Sequence, residues 1–137
     1  MSAIVRLQHA SVPMPSGGND RAREFYGSKL GLREKIVPDA LDSARIIWFQ
    51  LGQDGDELHV FTEDAGGPNS PGQHICIQVE DVAAWREQLA SKGVDIEETE
   101  QIVNRPRFFI RDPFDNRLEI TEVLGDYTAH PVERAPR

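Results

Sequence analysis

The order of elements in the first half of this chain recurs in the second, and such a repeat restricts the fold more than any single motif. Residues 4–14 alternate as a strand, with Val5, Leu7, His9 and Ser11 on one face and Gln8, Ala10 and Val12 on the other. Pro13, Pro15, Gly17 and Gly18 break it into a loop. Asn19 or Asp20 can cap a helix through Leu30, with Ala22, Phe25, Tyr26 and Leu30 near helical spacing and Gly31 as its stop. Strands follow at 32–37, 44–51 and 57–62, the last two joined by a hairpin turn at 52–56. Residues 64–72 are rich in Gly, Pro, Asn and Ser and form the connector. Then the order restarts. A strand at 73–79 precedes a helix at 82–92, capped by Asp81 and stopped by Gly93, and strands at 94–97, 107–111 and 117–122 complete the half. The displacement that carries Gly31 onto Gly93 also carries Glu57 onto Glu119, while His9 reaches His74 by one slightly larger.

Both halves are expected in one domain, residues 1–124, with module one at about 4–63 and module two at about 73–123. Residues 125–137, with Pro131, Pro136 and little apolar content, read as an arm or a disordered tail. At 137 residues, 39% hydrophobic and 28% charged, the chain suits a soluble globular fold rather than a disordered one. A net charge of −8 argues against nucleic-acid partners, because phosphate contacts need a basic footprint. No apolar run approaches a membrane span, and the single Cys76 excludes an intrachain disulfide framework, so the expected location is the cytoplasm.

Strand parity singles out a set of polar residues. Glu57, His59 and Phe61 share one face while Leu58 and Val60 share the other. His74, Cys76 and Gln78 oppose Ile75, Ile77 and Val79, and Arg117, Glu119 and Thr121 oppose Leu118 and Ile120. Each of these strands thus offers an apolar face for a helix and a second face bearing imidazole, thiol or carboxylate. Two imidazoles and two carboxylates are the neutral nitrogen and anionic oxygen donors that a divalent transition metal accepts. His59 competes with Glu57 for the fourth ligand position, or acts as a proton carrier beside it. Cys76 reads as a small packing residue rather than a nucleophile, and Arg105, Arg107, Arg111 and Arg117 mostly as edge charge, with Arg117, on the face of Glu119, a candidate to hold a substrate anion or to neutralise that carboxylate.

The last strand is fed by Asp112-Pro113 and Asp115-Asn116, all turn formers. With Arg6-Leu-Gln-His9, Glu24-Phe-Tyr26, Leu30-Gly-Leu32, Glu57-Leu-His-Val60, Gln73-His-Ile-Cys-Ile-Gln-Val79 and Asn116-Arg-Leu-Glu119, they make the chain resemble the vicinal oxygen chelate superfamily. That group contains glyoxalase I, fosfomycin- and bleomycin-resistance proteins and extradiol dioxygenases. The resemblance spans roughly residues 4–123 and departs at Asp115, where the family more often has Gly. It implies an α+β fold of two βαβββ modules forming a cupped mixed sheet with helices on its outer face, usually completed as a homodimer. It also implies metal ligands at His9, Glu57, His74 and Glu119, for zinc, nickel, manganese or iron.

The activity so implied is a metal-dependent lyase or isomerase acting on a small substrate with adjacent oxygens. Glu57 or Glu119 would be the catalytic base, with His59, Phe61 and Arg117 binding substrate. Three alternatives accompany it. A fosfomycin-type thiol transferase would use His9, His74 and Glu119; an extradiol dioxygenase would use the same set with iron; a bleomycin-resistance-type protein would sequester a ligand without catalysis.

Overall fold

β1 (His9–Met14) and β4 (Asp56–Thr62) run parallel although a helix and two strands separate them in sequence. Parallel neighbours need a crossover, and here α1 (Asn19–Ala22) with its continuation Arg23–Lys29 begins it. β2 (Glu34–Lys35) and β3 (Ile46–Leu51) complete an ordered sheet β1-β4-β3-β2. The second half repeats the plan with β5 (His74–Gln78), α2 (Val82–Ser91), β6 (Arg107–Arg111) and β7 (Arg117–Thr121), in the order β5-β7-β6. β5 and β7 are again parallel, β6 and β7 antiparallel. The fold is therefore α+β, built from two modules of the same plan, as the repeat implies.

The structure is a computed structural model and describes residues 2–64 and 70–133; part of the expected connector, 65–69, and the last four tail residues lie outside these. The chain divides into two compact units. Residues 2–64 with 112–116 form the first, and residues 70–111 with 117–133 the second.

In the first unit Leu58 and Val60 of β4 pair with Phe49 and Ile47 of β3, and all four are buried, as are Phe25, Tyr26 and Leu30 of the crossover. The crossover helix departs from the expected α-helix. Arg23–Lys29 is π-helical, and Leu30 donates to the Phe25 carbonyl at 2.9 Å, one residue wider than an α-turn. Neither Asn19 nor Asp20 caps it: the N-cap is Gly18, with no side-chain bond. Gly31 ends it at φ 76, a conformation that favours glycine. In the second unit Asp81 does cap α2, accepting from the Ala84 N–H at 3.0 Å.

Three expected strands are clearly shortened, the one at 32–37 to Glu34–Lys35. Residues 4–8 lie outside β1, with Ile4, Val5 and Leu7 exposed: apolar alternation does not make a strand without a partner. The strand expected at 94–97 is a single bridge, Glu97 to Phe109. In the tail, Asn104 donates from Nδ2 to the carbonyls of Asp126 (2.7 Å) and His130 (3.1 Å) and accepts from the Val132 N–H (2.7 Å).

The turn Asp112–Asn116 belongs to the first unit. Tyr26 donates its hydroxyl to Asp112 Oδ2 at 2.7 Å, and Asn116 Nδ2 donates to the same oxygen at 2.7 Å and to the Pro13 carbonyl at 2.8 Å. Asp112 Oδ1 accepts the Phe114 and Asn116 N–H groups. Burial raises the Asp112 carboxyl pKa against these bonds, and burial followed by the Asp112 charge raises that of Tyr26 well above its ordinary value. Asp115 sits at φ 68, which explains why Gly is the commoner occupant and why Asp, which tolerates that region, can replace it. Tyr26→Phe leaves a buried carboxylate short of one donor and should cost about 1–3 kcal/mol in urea unfolding. A variant as stable as the parent would show this bond to be dispensable.

Candidate functional site

The polar face of the first unit is assembled by register. β1 sets His9 opposite Glu57 and Ser11 opposite His59; β3 sets Trp48 opposite His59 and Gln50 opposite Glu57. Three rings stack in consequence. Trp48 and His59 lie with centroids 4.3 Å apart and planes 2° apart, and His59 and His9 follow at 4.2 Å and 17°. Glu57, only 6% exposed, lies within hydrogen-bond reach of the central ring, His59. Its Oε1 accepts from Gln8 Nε2 at 3.1 Å and from His59 Nε2 at 3.2 Å, and Lys35 Nζ binds its Oε2.

These contacts set protonation. The Lys35 ammonium first, helped by Gln8 and His59 and opposed by burial, lowers the Glu57 carboxyl to about 2. Burial lowers the pKa of His59, helped by His9 and Lys35 and opposed by Glu57. Because Gln8 gives its amide N–H to Glu57, its Oε1 faces His9 Nδ1, at 2.7 Å. An amide oxygen only accepts, so Nδ1 carries a hydrogen, and Nε2 is the ring nitrogen left to face a ligand.

The second unit shows the counterpart. Glu119, 7% exposed, receives Arg107 Nη1 on Oε1 at 3.1 Å and faces His74 Nε2 across 2.9 Å on Oε2. His74 Nδ1 lies 2.9 Å from the Gly72 carbonyl. Both ring nitrogens thus face atoms that only accept. Nδ1 satisfies Gly72 with its hydrogen, and a positive species, a proton or a metal ion, must stand between Nε2 and the carboxylate. Cys76 is exposed at the residue level, contrary to a packing role. Desolvation of its thiol, followed by the Glu119 charge, pushes it up to about 11, far from thiolate reactivity.

A family model described as the Glyoxalase/Bleomycin resistance protein/Dioxygenase superfamily matches residues 6–120. The chain belongs to this superfamily. A crystal structure of a glyoxalase family protein from Bacillus anthracis is 28% identical, with a TM-score of 0.82, over 90% of this chain and 98% of that one. A glyoxalase/dioxygenase from Nostoc punctiforme is 18% identical with a TM-score of 0.71, over 90% of this chain and 98% of that one. Lactoylglutathione lyase from Agrobacterium tumefaciens is 21% identical with a TM-score of 0.65, over 89% of this chain and 94% of that one. At those two identities the likeness is one of fold. No curated protein matches the chain. Among the described residues no helix is long and apolar enough to cross a membrane.

Members of the superfamily usually bind a divalent metal, and the residues of this member can be tested against one. The His74–Glu119 pair fits: an imidazole fixed through Nδ1 by a carbonyl, with Nε2 aimed beside a buried carboxylate, is how metal-ligating histidines are held. His9 is fixed through Nδ1 in the same sense by Gln8. Glu57 fits only once Lys35 turns away, because the ammonium occupies Oε2. Among the described residues no three or more His, Cys, Asp or Glu side chains come together as a group that could hold a metal ion.

The structure brings His9, Glu57 and His59 together in the first unit and His74 and Glu119 in the second. Phe61 ends the Glu57 face, half-buried, opposite Pro13. Arg117 does not bind Glu119; it lies over the Phe109 ring, and the cation on Glu119 is Arg107. Gln8, Lys35, Trp48 and Arg107 are the neighbours that sequence reasoning missed. Arg107, read from the sequence as edge charge, alternates onto the face of Phe109, the register partner of Glu119, so strand register was needed to find it; Lys35, from a two-residue strand, gave no periodic signal.

The Glu57 charge stabilises the folded state above the ordinary carboxylate range, near 4.5, and that contribution fades as pH falls through about 2. Lys35→Met removes the main cause, so the metal-free variant should unfold at higher pH than the parent in an acid titration followed by circular dichroism. Coincident acid transitions would mean that Lys35 does not hold Glu57 down.

Proposed function

We propose that this chain is a metal-dependent lyase or isomerase of the glyoxalase type, acting on a small substrate with two adjacent oxygens. The observation that carries the reading is the His74–Glu119 contact, in which a fixed imidazole nitrogen and a buried carboxylate oxygen meet at 2.9 Å, a pair of donors that one divalent metal could share. His9 and Glu57 are the proposed donors from the other half, so each half supplies one imidazole and one carboxylate. A divalent metal held by these residues would supply Lewis-acid stabilisation of negative charge on a carbonyl oxygen.

The protein's own groups then divide the work. Glu119 takes the proton from the carbon next to the carbonyl. Glu57 is the alternative base, engaged by Lys35 on Oε2 in the metal-free fold. Arg107 keeps the Glu119 carboxylate oriented through Oε1, so Oε2, once released from the His74 side, would take the proton. His59 and Phe61 line the substrate beside Glu57. A cytoplasmic homodimer belongs to the same proposal, since members of the superfamily often pair.

One observation favours a second reading. If Lys35 stays on Glu57, only His9, His74 and Glu119 remain as ligands, which suits a thiol transferase of the fosfomycin type or an iron dioxygenase. Elemental analysis of protein purified without chelator or affinity tag separates these. We expect about one metal ion per chain, lost in the His74→Ala/Glu119→Ala double variant. Loss of metal in Glu57→Gln supports the four-ligand lyase; its retention supports the three-ligand reading, with iron indicating the dioxygenase and manganese the transferase. Failure of the parent to hold any metal would overturn both and leave a ligand-sequestering protein.

A further inference from the structure

The β5-β7-β6 sheet carries a guanidinium that its surroundings hold in place without satisfying. Arg117 lies 3.6 Å from the centroid of the Phe109 ring, close enough to fix the plane of its head group. Among the described residues its polar contacts are a long hydrogen bond from Nη1 to the Pro71 carbonyl, 3.5 Å, and an ion pair of Nε with Glu97 Oε2, 3.4 Å, which leaves the Nη groups with donors to spare. Nε is buried without a hydrogen-bond partner. Arg107 on the same face is in the opposite condition: Nε and Nη2 bind the Glu100 carbonyl and Nη1 binds Glu119. A guanidinium that is oriented, three-quarters covered and short of acceptors is built to receive one.

Its location says what the acceptor belongs to. Arg117 is the register partner of His74 and stands two residues before Glu119 on the same strand. Two residues of strand span roughly 6.6 Å, the reach of a few covalent bonds. An anion on Arg117 would therefore sit on the same small molecule that meets His74 and Glu119. The face carries Arg107, Arg111 and Arg117 against Glu97 and Glu119, a local excess of positive charge in a chain of net charge −8. Glu97, beside Arg117 and Arg111, offsets part of it, which suits a singly charged carboxylate better than a doubly charged phosphate.

We infer that Arg117 is the receptor for a carboxylate of the substrate, which makes the substrate a small carboxylic acid. The inference rests on the proposed function for the role of His74 and Glu119, but the carboxylate site is testable without any metal. Metal-free protein is titrated calorimetrically with propionate, with uncharged propionamide and with inorganic phosphate. Propionate should bind and propionamide should not. Arg117→Gln should weaken propionate binding roughly tenfold or more, Arg117→Lys should retain part of it, and Arg86→Gln, the same charge change elsewhere, should leave it intact. Equal binding by Arg117→Gln, equal binding of the amide, tighter binding of phosphate, or no propionate binding by the parent would each overturn the assignment. An Arg117-dependent propionate site in a protein that holds no metal would leave this inference standing while the proposed lyase falls.

Discussion

Glu57 and Glu119 are buried carboxylates on the polar faces of the two units, and an anion removed from water needs a positive partner or hydrogen-bond donors, or it protonates. Much of the polar architecture follows from that requirement. Glu57 is answered by Lys35 from the short β2 strand, and by Gln8 and His59. Glu119 is answered by Arg107 from β6 and by His74 from β5. The partners come from different strands in each half, so the halves solve the same electrostatic problem with different side chains. In each half a cation takes one carboxylate oxygen, Lys35 on Glu57 and Arg107 on Glu119, and an imidazole nitrogen faces the other, from His59 and from His74.

The repeat conserves faces rather than register. His9 stands directly opposite Glu57, but Cys76 stands opposite Glu119, with His74 opposite Arg117. The histidine of the second half thus sits two residues before the register partner of its glutamate, and an offset by an even number leaves both side chains on the same face. That offset puts Arg117 beside His74, where the first unit has no equivalent cation. An internal repeat can in this way carry an asymmetric site without disturbing either hydrophobic core.

Legibility of the chain tracked how local each interaction is. The helices ending at Gly31 and Gly93, the capping Asp81 and the turn at Asp112–Asn116 were readable because the residues that make them are near in sequence. The alternation of β4, β5 and β7 placed Glu57, His59, His74 and Glu119 on polar faces, and those faces are the ones observed. The first residues of the expected opening strand and the strand expected at 94–97 were misjudged for one reason: alternation measures an appetite for burial, not the presence of a neighbour. The π-helical crossover was invisible because an apolar stripe at three and four residues does not distinguish a helix widened by one residue.

By itself the sequence determined the two-module α+β plan, the superfamily and the side of each strand on which the candidate residues lie. These depend on periodicity and on turn chemistry, which are properties of neighbouring residues. Only the tertiary structure decided which cation meets which carboxylate, that Trp48, His59 and His9 form one stack, and that Arg117 rests on Phe109 with an unsatisfied nitrogen. Those pairings are set by strand register across long stretches of chain, where a shift of two residues preserves every face yet replaces every partner.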